Sequence, residues 1–127
     1  MIKIPTVDIM KKKSIERLEE EMQIEFVKRV EPLFLSGKLR FTAIPNSTFT
    51  GCGQINKNTA MGVRKGLPDM FFLTEKAAFF IEFKTPVGRL EPHQIAWING
   101  LNAVGIGAHV CRSVDEALLV VDSYFAS

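Results

Sequence analysis

The chain has 127 residues, of which 46% are apolar, and its formal charge at pH 7 is +2. This length suits one domain with one core, and the composition excludes an intrinsically disordered chain. We expect no integral membrane protein, because no apolar run reaches the roughly 20 residues that span a bilayer. We also expect no secretory leader at residues 1–13, and the small net charge does not by itself indicate a nucleic-acid binder.

The two cysteines, Cys52 and Cys111, lack the spacing of a zinc site and are too few for a disulfide scaffold. We therefore expect two free thiols in a reducing cytoplasm, and so an intracellular protein. The "GCGQ" stretch at residues 51–54 lacks the third glycine of a dinucleotide-binding fingerprint, so we expect no nucleotide cofactor.

The hydrophobic pattern predicts the secondary structure in chain order. Residues 1–13 are expected to be a loosely ordered start. A helix is predicted from about Ser14 to Leu35, because apolar residues recur there at helical spacing. Pro32 is expected to kink or end this helix, and residues 38–45 favour a strand.

The rest of the chain predicts a long loop, a hairpin and two more helices around a strand. Residues 46–66 are rich in Gly, Asn and Thr and predict a long basic loop with a short helical turn near its end, and loops of this length are usually functional or mobile. Two β-prone runs, "DMFFLT" and "AAFFIEFKT", predict a hairpin that turns at residues 75–76. A helix is expected at residues 92–105, "GAHVCR" favours a strand, and an S-x-x-E capping box at residues 113–116 opens a last helix. The order predicts one α/β domain over the whole chain, with one mixed sheet flanked by helices.

Three charged residues stand in the most apolar part of the chain: Asp69, Glu82 and Lys84. Side chains alternate along a strand, so Glu82 and Lys84 project from the same face, and the hairpin folds Asp69 back towards Glu82. Buried charges are costly unless they are compensated, and two neighbouring carboxylates raise each other's pKa. A divalent cation removes that cost.

Two carboxylates and a backbone carbonyl, here that of Phe83, form a hard oxygen site that suits Mg²⁺ or Mn²⁺ and leaves positions for water or phosphate. Lys84 would polarise or help deprotonate the attacking water, or stabilise charge on the phosphate. The predicted chemistry is metal-assisted hydrolysis of a phosphodiester. The alternative is a solvated E-x-K pair and an ordinary Pro-Asp turn, which chance produces in a chain of this length. The cluster is favoured because this is the one D/E-x-K of the sequence and lies in its most apolar strand.

The motifs of this region resemble a known nuclease family. "GLPDMFFL", "FFIEFK" and "GRLEPHQIAWINGL" follow the G-x-PD…(D/E)-x-K…Q pattern of the PD-(D/E)XK nuclease superfamily. Within it the chain is most similar to the VRR-NUC domain, the virus-type replication-repair nuclease, over about residues 19–121. The resemblance implies a restriction-endonuclease-like αβββαβ core with an extra C-terminal helix, and it allows a viral or prophage origin.

The resemblance also implies roles for individual residues. Four of them match the family's motif: Asp69 and Glu82 as metal ligands, Lys84 as the catalytic lysine and Gln94 as the glutamine that opens the next helix. A glutamate of the first helix reaches the metal site in the family, which selects Glu19, with Glu20 as the runner-up. At least one acid of "EEE" is expected on a solvated helix face. Without the family, Gln94 would be an unremarkable residue at a helix start.

Proteins that resemble this stand-alone form cut branched DNA, and some are dimers that resolve four-way junctions. The resemblance therefore implies a homodimeric, Mg²⁺- or Mn²⁺-dependent DNA endonuclease for branched DNA such as Holliday junctions, with a role in DNA repair. The alternatives are a sequence-specific or nonspecific DNA nuclease of the same fold and a non-catalytic DNA-binding subunit. The intact set of Asp69, Glu82 and Lys84 argues against the last alternative, because a structural role needs no buried charges.

One basic stretch can be recognised without the family. Between Glu31 and Asp69 there is no acidic residue, whereas five basic residues lie there. The three nearest to the predicted site are expected to contact DNA phosphates: Lys57, Arg64 and Lys65. An ordinary polar loop is the equally weighted alternative.

Overall fold

The structure is a computed structural model that describes residues 6–45 and 57–126, and of residues 6–10 it describes the backbone. The elements of the described residues follow in this order: α1 (Thr6–Leu35), β1 (Arg40–Ala43), β2 (Met70–Leu73), β3 (Ala78–Phe83), α2 (Pro92–Ala103), β4 (Gly107–Cys111) and α3 (Val114–Ser123). Residues 57–60 are also helical, close to the predicted helical turn, whereas residues 46–56, with Cys52, lie outside the described residues. The predicted αβββαβ order with an extra C-terminal helix is confirmed.

Within the described ranges, the strands form one mixed sheet in the order β1-β2-β3-β4. β1, β2 and β3 are antiparallel neighbours, and β4 runs parallel to β3 because α2 carries the chain back across the sheet. The predicted hairpin turn is closed by Thr74, whose N–H donates to the Ala77 carbonyl at 2.8 Å and whose Oγ1 accepts from the Lys76 and Ala77 N–H groups.

One face of the sheet carries the hydrophobic core, and α1 and α3 cover it. The buried core residues on the strands alternate as the pleat requires: Met70, Phe72, Phe79, Ile81 and Phe83. The ring of Phe26 on α1 lies 5.9 Å from the ring of Phe72 and 5.3 Å from that of Phe83, measured between centroids. α1 is therefore fixed against the middle of the sheet.

The first helix is longer than the sequence analysis predicts. It begins at Thr6, so residues 6–13, expected to be loosely ordered, are helical, and Ser14 lies inside the helix. The sequence has no Gly or Pro between Thr6 and Glu31, and Lys is a good helix former, so nothing local stops the helix earlier. The helix also continues through Pro32 to Leu35, so Pro32 does not end it.

The later helix ends agree with the sequence. Pro92 stands in the first turn of α2, and Gly105 follows its end with a left-handed φ of +85°. Ser113 caps α3, because its side chain accepts a hydrogen bond from the Glu116 N–H at 3.0 Å. Cys111 is a free, buried thiol, as expected. None of the helices within the described ranges has the length and apolar character needed to cross a bilayer.

Candidate active site

The register of the β2–β3 hairpin brings Asp69 and Glu82 together. Met70 pairs with Ile81, and continuing this register places Asp69 opposite Glu82, at the end of the hairpin away from its turn. By strand alternation both carboxylates lie on the face opposite the core. The Asp69 carboxylate is held there because its Oδ2 accepts the Phe83 N–H at 2.7 Å.

Burial dominates the electrostatics of this cluster. Glu82 is 2% exposed and Lys84 is 8% exposed. Burial, and then the negative charge of Asp69, raise the pKa of Glu82 to about 9. Burial also raises the pKa of Asp69, while the Phe83 N–H and the charge of Lys84 act in the opposite direction. These effects, together with a side-chain hydrogen bond between the two acids, favour a neutral Glu82 carboxyl over a second buried negative charge.

Lys84 extends the strand beyond Glu82 and places its charge beside both acids. Its N–H donates to the Cys111 carbonyl at 3.0 Å, which continues the parallel pairing of β3 with β4. Its positive charge acts to lower the pKa of both Asp69 and Glu82. Two carboxyls and one amine thus share a buried site, as the hairpin pattern suggests.

Glu19 is the acid of the "EEE" run that faces this cluster. It is half-buried, and its pKa is raised by burial, while the charge of Lys84 acts to lower it and that of Asp69 to raise it. Glu20 and Glu21 are exposed, and Glu21 lies 3.8 Å from the guanidinium of Arg17. Glu19 precedes the core residue Phe26 by about two helical turns, so both point towards the sheet.

Gln94 connects the start of α2 to Glu82. Its Nε2 donates to Glu82 Oε2 at 3.2 Å, and its Oε1 accepts the Glu91 N–H at 2.8 Å. The second bond belongs to a capping box between Glu91 and Gln94 that fixes the first turn of the helix. The helix start therefore sets the orientation of the amide that contacts Glu82.

Three residues near Glu19 were not selected by the sequence analysis. Arg112 Nη1 donates to the carbonyl oxygens of Thr85 and Gly88, at 2.7 Å and 2.8 Å. A Cβ at Gly88 would lie 3.2 Å from Glu19 Oε1 and 3.2 Å from Thr85 Oγ1. The Pro and Gly of "TPVG" could have marked a tight turn here. Nothing in the local sequence marks Arg112, because its partners are distant in the chain.

The segment at residues 65–66, which leads into Asp69, packs against α2. Gly66 has a φ of +96°, and a Cβ there would lie 2.7 Å from the His93 carbonyl carbon and oxygen. The Lys65 carbonyl accepts the Trp97 indole N–H at 2.7 Å. Trp97 is half-buried on α2, where its N–H has this partner.

The three predicted phosphate contacts are all exposed: Lys57, Arg64 and Lys65. Arg64 and Lys65 directly precede Gly66, which contacts the His93 backbone, and so they lie near the start of α2. Lys57 lies in the helical turn at residues 57–60, and no contact among the described residues joins it to the acidic cluster.

The donor set fits a hard divalent cation. When Glu82 is ionised, its Oε1 is buried with no donor among the described residues, and an unpaired buried oxygen is costly unless a ligand satisfies it. Within the described residues no three His, Cys, Asp or Glu side chains are grouped so that they could hold a metal ion, so Glu19 does not complete a three-acid site with Asp69 and Glu82 in this structure. A cation here would thus take part of its shell from water, as Mg²⁺ usually does, or from a backbone carbonyl such as that of Phe83.

Comparison with known proteins identifies the family. The model of the VRR-NUC domain family matches residues 43–115, more than half of the chain. This chain belongs to the VRR-NUC family. The match includes the Asp69–Glu82 cluster, Lys84 and Gln94, whereas Glu19 lies outside it. Membership of the VRR-NUC family implies a nuclease-type function in DNA processing.

Solved structures support the VRR-NUC fold. One, a VRR-NUC domain protein, is 24% identical with a TM-score of 0.64, and the alignment covers 84% of this chain and 86% of the other. A second, a VRR-NUC domain, is 18% identical with a TM-score of 0.58, and the alignment covers 84% and 96% of the two chains. At these identities the likeness shows the fold. No curated protein matches the chain.

We predict that the metal-free protein loses stability as the pH rises from about 5 to about 9. The folded pKa of Glu82 is about 9 and its ordinary value is 4.5, so the folded state keeps a proton that the unfolded chain releases. The stability linked to this proton is complete below the unfolded pKa and is lost as the pH rises through the folded one. Thermal unfolding in EDTA across this range measures it.

Glu82→Gln should remove most of this pH dependence, because the amide mimics the protonated acid and does not titrate. Glu20→Gln, at an exposed position of α1, is the matched control and should keep the wild-type slope. Equal slopes for wild type and Glu82→Gln would show that Glu82 does not hold the proton.

Proposed function

We propose that the protein is a Mg²⁺- or Mn²⁺-dependent endonuclease that hydrolyses phosphodiester bonds of DNA, with a preference for branched DNA. The observation that carries the proposal is the buried, unpartnered oxygen of Glu82 beside the Asp69 carboxylate and Lys84. A structural role would not favour such a group, whereas a cation would satisfy it. VRR-NUC membership supports nuclease chemistry at this cluster.

In this proposal, Asp69 and Glu82 hold the cation together with the Phe83 carbonyl and Glu19. The bound cation supplies positive charge that activates water and stabilises the phosphate in the transition state. Asp69 is already oriented by the Phe83 N–H.

Lys84 and Gln94 act beside these ligands. Lys84 Nζ polarises or helps deprotonate the attacking water, or stabilises negative charge on the phosphate. Gln94 holds one oxygen of Glu82 by its amide, which leaves Glu82 Oε1 free for the cation.

The direct test is a cleavage assay that compares four-way junction, flap, single-stranded and linear duplex DNA, each with Mg²⁺, Mn²⁺ and EDTA. The proposal expects cleavage with either cation, none with EDTA, and the fastest cleavage on branched DNA. Equal rates on all DNA forms would favour a nonspecific nuclease. Binding without cleavage under every condition would favour a non-catalytic DNA-binding subunit.

We predict that Asp69→Asn, Glu82→Gln and Lys84→Ala each lower the single-turnover cleavage rate by about a hundredfold or more, because each removes a group that acts on the reacting phosphate. The two amide variants should be as stable as wild type or more stable without metal, because a neutral amide avoids the cost of burying a charge or taking up a proton there. Asp122→Asn, at an exposed acid of α3, is the control and should cleave normally. A near wild-type rate for Glu82→Gln would contradict the metal site.

The orientation of α1 predicts unequal effects within "EEE". Glu19→Gln should lower the cleavage rate by about tenfold or more, whereas Glu21→Gln should change it by less than about twofold. The reason is that Glu19 faces the cluster and Glu21 pairs with Arg17 at the surface. Single-turnover rates at several Mn²⁺ concentrations measure the difference. Equal, small effects would mean that α1 contributes no ligand.

The basic residues predict a change in salt dependence. Each phosphate contact contributes roughly 0.9 to the slope of log affinity against log salt on duplex DNA. The triple variant Lys57/Arg64/Lys65→Ala should therefore bind every DNA sequence more weakly, and its log affinity should fall less steeply with log salt. A triple Lys11/Lys12/Lys13→Ala variant removes the same charge from exposed positions of α1 and serves as the control. An unchanged slope in the first variant would mean that these three residues do not contact DNA phosphates.

We also propose that the enzyme acts as a homodimer, because two sites related by a two-fold axis suit a branch that is cut symmetrically. The outer side of α1 favours such a contact. Ile24 is 56% exposed there, in a groove of about 420 Å³ whose other lining residues are Glu20, Gln23, Val27 and Lys28. Sedimentation should give a dimer, and Ile24→Glu should give a monomer. A monomeric wild type that still cuts a junction symmetrically would refute the dimer.

A further inference from the structure

A tight turn with an exposed apolar tip follows Lys84 directly. The turn runs from Thr85 to Gly88, and the Gly88 N–H donates to the Thr85 carbonyl at 3.1 Å. Pro and Gly stand at the second and fourth positions, where such turns favour them. The tip consists of Pro86 and Val87, which are both exposed, Val87 at 75%.

The base of this turn is held firmly. Arg112 donates to the carbonyl oxygens at both ends of the turn, those of Thr85 and Gly88. Thr85 is 4% exposed, and a Cβ at buried Gly88 would lie in tight contact with Glu19 and Thr85, 3.2 Å from each. Tilting the tip would break both bonds from Arg112, so the tip is presented in one orientation.

Exposure of a single valine is ordinary on a protein surface and indicates nothing by itself. Here the apolar tip follows the acidic cluster closely in the chain, because Pro86 is two residues after Lys84, and exposed Arg89 is two residues after Val87. DNA with its scissile phosphate at the cluster and its backbone near exposed Arg89 would bring its neighbouring bases against the tip. Rigid apolar side chains, proline among them, stabilise kinked DNA by inserting between base steps that have lost their stacking.

We propose that the Pro86–Val87 tip is an apolar wedge that contacts an unstacked base step next to the scissile phosphate. This inference rests on the proposed nuclease function and adds the feature that selects the substrate. In a continuous duplex, two stacked base pairs must separate before the wedge can insert. At a branch point, the stacking between neighbouring base pairs is already interrupted. The wedge therefore favours DNA with a branch or another interrupted stack.

Val87→Ser tests the wedge, because it keeps a small side chain and removes its apolar surface. Val87→Leu keeps the apolar surface, and Val104→Ser makes the same change at a residue that is 74% exposed at the end of α2. Single-turnover rates at saturating protein are measured on a four-way junction and on a linear duplex of the same sequence. The junction-to-duplex ratio should fall about tenfold for Val87→Ser and change less than about twofold for the other two. An unchanged ratio for Val87→Ser overturns the wedge.

A binding experiment without cleavage separates the wedge from the chemistry. A four-way junction carries 2-aminopurine beside the branch, and protein is added to saturation in EDTA. Fluorescence should rise with wild type, Val87→Leu and Val104→Ser, because an inserted side chain unstacks the reporter base, and should stay low with Val87→Ser. An equal rise with Val87→Ser overturns the wedge. A wild type that gives the rise but cleaves no DNA with Mg²⁺ or Mn²⁺ would instead overturn the proposed nuclease function.

Discussion

The hydrogen bond from the Phe83 N–H to the Asp69 carboxylate is the contact on which the site depends. Continuing the β2–β3 register places Pro68 opposite Phe83, and proline has no N–H with which to extend the ladder. The Asp69 side chain accepts the Phe83 N–H at this point. The same bond ends the strand pairing and fixes a carboxylate beside Glu82, so the end of the hairpin and the start of the site coincide.

The strand β3 serves the core with one face and the site with the other. Phe79, Ile81 and Phe83 are buried beneath α1 and α3, while Glu82 projects to the opposite side. The packing that stabilises the sheet thus also fixes the acid, because any rotation of the strand would exchange the two faces. α1 also contributes to both, but from one face, since Phe26 packs in the core and Glu19, two turns earlier, faces the cluster.

The parts of the site that follow from local pattern could be predicted from the sequence. Strand alternation puts Glu82 and Lys84 on one face, and the turn at residues 75–76 sets the position of Asp69. The choice of Glu19 could not be made from "EEE" alone, because the register of a helix depends on what it packs against. Arg112 could not be found at all, because its bonds to Thr85 and Gly88 arise only when β4 lies beside β3. The helix α1 starts earlier than the sequence predicts, because the run of three lysines at residues 11–13 does not break a helix.

The contact of Gly66 with the His93 backbone limits which residues can replace this glycine. Gly66 combines a backbone conformation that side chains rarely adopt with a surface that leaves no room for a Cβ. Any replacement would push the first turn of α2 outward, and with it the amide of Gln94 that rests on Glu82. A mutation at this uncharged residue would then change the geometry of the acids. Position 66 thus accepts only glycine, although this residue takes no part in the chemistry.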